Sequence, residues 1–125
     1  MHKNLTISAS LGVVTILLGA FGAHALSKSL TIEGINSFET AVLYQMFHVI
    51  VLLFVNTYKG FSFKQQNRIS VLFFLGILFF SGSIYVIQLA GVSAKTIWFI
   101  TPLGGLFFIL GWLVMAFSFS KRNQQ

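Results

Sequence analysis

Few residues in this chain could do chemistry, and most of them lie in one stretch. Between Phe38 and Ile50, a carboxylate (Glu39), a phenol (Tyr44), an amide (Gln45) and an imidazole (His48) interrupt a run otherwise apolar enough for lipid. Polar groups in such surroundings are costly unless each has a partner or a purpose. Helical spacing puts Ala41, Gln45, His48, Leu52 and Asn56 on one face, with Tyr44 beside His48 through an i, i+4 relation. The chemistry this offers is hydrogen bonding and proton exchange at a buried histidine. Glu39 stands nine positions from His48, about half a helical turn away in azimuth, and is expected to meet Lys28 or Lys95 instead. His24, His48 and Glu39 are metal-ligating types without metal-ligating spacing, so no metal is expected. With no cysteine, thiolate sites, disulfides and cysteine nucleophiles are excluded.

The surroundings of these groups define their solvent. The 125 residues are 56% hydrophobic and 8% charged, with 15 Phe and one Pro, a balance no water-soluble domain of this size could hide in a core. Mean hydropathy is +0.87. The formal charge of +6 comes from Lys and Arg at the ends of apolar runs rather than from an aromatic-interleaved basic patch, so no nucleic-acid partner is expected.

Four apolar segments follow, over 5–26, 38–58, 69–88 and 98–119. The fold class expected is therefore all-α: a polytopic, single-domain bundle of four transmembrane helices. Lys3 and the Ala23-His24-Ala25 sequence resemble a secretory signal, but the first apolar run exceeds the usual h-region, so a span is expected rather than a cleaved leader. Ser8, Gly12, Thr15, Gly19 and Gly22 recur along one face of that span, and Gly104, Gly105 and Gly111 lie in the last; all are packing candidates. Thr31 and Glu33 suit a helix start ahead of the second span. The segment Lys59–Arg68 has the composition of a short basic loop.

Four spans put both termini and the middle loop on one side. That side carries Lys3, Lys59, Lys64, Arg68, Lys121 and Arg122, whereas the other carries Lys28, Lys95 and both acids. The positive-inside rule then predicts cytoplasmic termini. In this arrangement His24, Glu39, Tyr44, Gln45, Ser81, Tyr85 and Gln88 gather in the outer half of the bundle with His48 near the midplane, and the inner half is expected to hold little polarity beyond Thr15 and Asn56.

Four further motifs carry a resemblance. Residues 19–26 (Gly-Ala-Phe-Gly-Ala-His-Ala-Leu), Phe38-Glu39-Thr40-Ala41 with Tyr44, Gln45 and His48, Phe80-Ser81-Gly82-Ser83-Ile84-Tyr85, and Thr101-Pro102-Leu103-Gly104-Gly105 occur in an order that resembles the small membrane proteins of the domain of unknown function 423 family, also called the transmembrane protein 256 family. The resemblance covers nearly the whole chain. It implies a multi-span plasma-membrane protein of bacterial type and no established activity; Gly34 departs from the helix former expected there.

Two roles for the polar cluster stay open. One is interhelical bonding in a structural or interaction component of the membrane, with lipid, a second copy or a larger membrane complex as partner. The other is an outward-facing pocket of a small transporter or proton-linked binder. Nothing resembles an enzyme: there is no nucleophile elbow, zinc-protease motif or phosphate loop, and no cofactor motif in the Phe-rich faces. A C-terminal reporter fusion tests the orientation: alkaline phosphatase there should be inactive and green fluorescent protein bright, and the opposite result would reverse the assignment.

Overall fold

A computed structural model describes residues 2–122, and among them every regular element is helical. The helices are α1 (Lys3–His24), α2 (Ile32–Thr57), α3 (Phe63–Gly76), α4 (Gly82–Ala90) and α5 (Ile100–Arg122), with a 3-10 turn at Leu26–Lys28. A π-helical turn, Ile77–Ser81, joins α3 to α4, giving one continuous span over Phe63–Ala90. Four segments are thus long and apolar enough to cross a bilayer.

Local chemistry sets the ends. Thr31, in extended conformation, accepts from the Gly34 amide through its hydroxyl (3.1 Å), so α2 starts a turn and a half before the apolar run. Gly34 sits in that first turn because Gln88 packs over it: a Cβ there would lie 2.7 Å from the Gln88 side-chain oxygen. Ser62 and Gln65 form a reciprocal capping box, at 3.2 and 2.8 Å, which makes residues 63–68 helical rather than loop. Gly91, at φ +68°, ends α4 in the left-handed region that favours glycine. The 3-10 turn takes over where α1 stops at His24, so Leu26 belongs to the connection.

The core is built by three of the four spans. Val49, Leu52 and Val55 of α2 pack with Ile69 and Phe73 of α3, Ile77 of the π turn and Phe108 of α5. At the end that carries the termini, Tyr58, Phe61 and Phe119 add a ring cluster, with Phe61 centred 4.9 Å from Tyr58 and 4.7 Å from Phe119. The first span adds no buried residue to this core and touches it through the partly buried Leu11. α1 lies against α2, burying Ser8 and Thr15 while Val13, Val14, Ile16, Leu17 and Phe21 face outward. Because lipid is as apolar as those side chains, the exposure carries no hydrophobic cost, and close packing rather than burial from water must hold α1 in place. Gly12, Gly19 and Gly22 serve that purpose, facing Val49, Val42 and the ring of Phe38.

The tightest approach joins α5 to the π turn. A Cβ on Gly104 would run into the backbone of Phe79 and Phe80, and one on Gly111 into the ring of Phe73. Gly105, also a packing candidate, instead has open space where a Cβ would lie. Gly104→Ala should therefore cost about 2 kcal/mol through overpacking, whereas Gly105→Ala should leave stability unchanged or raise it slightly through helix propensity. Thermal unfolding of the two variants in detergent measures the contrast.

Candidate functional site: a buried polar network

Gln45 is the centre of the buried polarity. At 2% exposure it bridges three spans: its Nε2 donates to the Leu11 carbonyl of α1 (3.3 Å), and its Oε1 accepts from the Tyr85 hydroxyl of α4 (2.6 Å). The same Leu11 carbonyl accepts from the Thr15 hydroxyl at 2.6 Å, so the Gln45 and Thr15 side chains converge on one oxygen. The Tyr85 ring also packs against Phe38, with centroids 5.4 Å apart.

His48 forms a second unit, one turn along α2. Its Nδ1 lies 2.7 Å from the Tyr44 carbonyl, and its Nε2 lies 3.1 Å from the indole nitrogen of Trp112 on α5. An indole N–H can only donate, so Nε2 accepts and Nδ1 carries the proton that reaches Tyr44. The ring is stacked on Phe108, at 3.8 Å and 14°, and meets Phe73 edge-on at 5.1 Å. Both nitrogens are thus used within the chain, in a setting that suits the neutral ring.

A third set pins the span over Phe63–Ala90 to its neighbours. Ser81 donates to the Ala41 carbonyl of α2 (2.8 Å), and Ser83 lies 2.5 Å from the Thr101 hydroxyl of α5. Placing Ser81 in the π turn is what aims it at Ala41, while Tyr85, one turn on, reaches Gln45.

The remaining candidate residues go elsewhere. The Tyr44 ring is partly exposed and stacks on Phe80, with centroids 4.7 Å apart; only its backbone carbonyl serves His48. Gln88 packs over Gly34 rather than joining Tyr85 at Gln45. His24 is exposed at the end of α1. Glu39 is exposed on α2 beside a groove, and among the described residues it forms no ion pair with Lys28 or Lys95. Among the described residues no group of three or more His, Asp or Glu side chains could hold a metal.

A further polar set lies at the opposite end, where little was expected. Asn4 donates to Asn56 (3.0 Å) and to Asn67 (2.8 Å), and Asn56 donates to Ser70 (2.8 Å), linking α1, α2 and α3 around a polar recess of about 270 Å³. The signal was present in the Ser62-to-Gln65 capping box, which moves the start of α3 ahead of Asn67. Among the described residues no buried side-chain nitrogen or oxygen lacks a partner.

Four apolar spans locked by internally satisfied polar pairs define a polytopic helical membrane protein. Residues 18–105 match the family model described as "Protein of unknown function (DUF423)". The chain belongs to that family. It is 36% identical over 121 residues to a UPF0382 membrane protein of Staphylococcus saprophyticus, covering 97% of this chain and 99% of the relative. It is 38% identical to a UPF0382 membrane protein of Haemophilus influenzae, covering 98% of each. The UPF0382 inner membrane protein YgdD of Escherichia coli K12 is 37% identical, covering 89% of this chain and 84% of that one. No solved structure matches.

A double-mutant cycle with Gln45→Leu and Tyr85→Phe should give a coupling of about 0.6 kcal/mol and at most roughly 1.7, the range of hydrogen bonds across membrane helices. Unfolding of the four proteins in mixed micelles would measure it; strictly additive losses would mean the two side chains do not act as a pair.

Proposed function

We propose that the protein is a structural or interaction component of the bacterial plasma membrane, a non-enzymatic multi-pass bundle with cytoplasmic termini. The observation that carries this reading is that, among the described residues, every buried side-chain nitrogen and oxygen has a hydrogen-bond partner within the chain. Hydrocarbon cannot satisfy an amide, so Gln45, Ser81 and His48 each specify a neighbour and a register, and thereby one bundle geometry out of many equally greasy ones. A transport site needs polar groups left over for its cargo, and the buried ones here are committed. The inner-membrane name carried by the Escherichia coli relative supports the location.

One observation favours the competing reading, a proton-linked binder at His48. Beside that ring lies a recess of about 330 Å³ lined by Tyr44, Phe47, Val51 and Trp112. Its walls are aromatic and aliphatic, and His48 would have to give up the Trp112 bond to serve a ligand there. For the structural role, His48→Leu should lower stability by about 1 kcal/mol. Purified wild-type protein in vesicles loaded with a pH-sensitive dye should pass protons no faster than empty vesicles. A flux present in the wild type and abolished by His48→Gln would replace the structural reading with the transport one.

A further inference from the structure

A groove lies in the seam between α1 and α2, meeting the polar network only at Thr15. It has a volume of about 510 Å³; one wall runs along α1 from Thr15 through Gly19, Ala20 and Ala23 and on to Leu26 of the 3-10 turn, and the α2 wall includes Phe38, Val42 and Met46. The small α1 residues leave it hollow. At the rim, on α2, stands Glu39, the one charged residue of the lining, exposed and without an ion pair among the described residues. An apolar pocket of this size with one placed charged group has the makeup of a small-ligand site.

We propose that this groove holds one acyl chain of a phospholipid whose primary ammonium headgroup pairs with Glu39, as in phosphatidylethanolamine. Dimensions select a lipid chain over a neighbouring helix. From Thr15 to Ala23 the α1 wall rises about 12 Å, and Leu26 extends it to roughly the 15 Å of one leaflet, whereas a docked transmembrane helix would need a groove through both. The polarity is oriented to match: the carboxylate lies toward the loop end, where headgroups sit, and the deep end at Thr15, Ile16 and Met46 offers no free polar atom, since the Thr15 hydroxyl is bonded to Leu11. A carboxylate favours an ammonium that can donate hydrogen bonds over a quaternary amine of the same charge, and disfavours an anionic headgroup.

The site is separate from the buried network and stands whether that network is structural or not. Its test is native mass spectrometry of the full chain titrated with phosphatidylethanolamine, phosphatidylcholine or phosphatidylglycerol of identical acyl chains. Wild-type protein should retain one phosphatidylethanolamine about fivefold better than phosphatidylglycerol, the factor that corresponds to roughly 1 kcal/mol for one charge at the membrane surface, and better than phosphatidylcholine, whose quaternary amine cannot donate a hydrogen bond. Glu39→Gln should abolish the headgroup preference while chain retention persists. Ala20→Leu, which fills the groove, should lower retention of all three lipids. The proposal is overturned if the wild type retains the three lipids alike, or if Glu39→Gln keeps the preference. It is equally overturned if Ala20→Leu, folded as judged by its thermal midpoint, only dissolves a dimer. Glu39→Gln alters an exposed side chain, so the test survives if Ala20→Leu fails to fold.

Discussion

The interaction on which this bundle depends is the two-sided hydrogen bond of Gln45. A carboxamide in hydrocarbon has no solvent to fall back on, so every arrangement that leaves it unpaired is penalised. Both of its ends are satisfied: the Leu11 carbonyl of α1 accepts on one side and the Tyr85 hydroxyl of α4 donates on the other. α1 otherwise rests against α2 through small residues, and only Leu11 of the first span packs against the core of α2, α3 and α5. Its register along α2 is therefore set by polarity, and the core's by shape.

That division explains why two kinds of contact coexist in so small a protein. Between α5 and the span over Phe63–Ala90, glycines bring backbones and rings together, Gly104 at Phe80 and Gly111 at Phe73, where dispersion is strong and lipid cannot compete. Serine and threonine hydroxyls on the same surface, Ser83 at Thr101, add direction to an interface that packing alone would leave free to slide. His48 combines both, one face stacked on Phe108 and its edge bonded to Trp112.

The number of spans and the α2 polar face were legible in the sequence because hydropathy and helical periodicity are local properties. Pairings were not. Nothing in the spacing of Tyr44, Gln45 and His48 says that the phenol turns to Phe80 while Tyr85 supplies the hydroxyl, because that depends on how far the third span is rotated, and a π turn resets the rotation midway. The amides at the terminal end are missed for a different reason: Asn67 falls in the segment read as a basic loop and Asn4 just ahead of the first span, although the Ser62 and Gln65 cap is there to be read. Glu39 was placed at the interface by azimuth alone, and its neighbour turned out to be a hollow rather than a lysine.

The π turn at Ile77–Ser81 has a consequence for how the chain can vary. One extra residue in a helical turn advances the following helix by about 100° without breaking it. The span therefore works as two keys cut on one blank: α3 presents Phe73 to α5, and α4, rotated past it, presents Tyr85 to α2. A point mutation tunes one key. A single-residue deletion here would turn the second key to a different lock while the hydropathy profile of the span stayed almost unchanged, a lesion visible to the fold and invisible to composition.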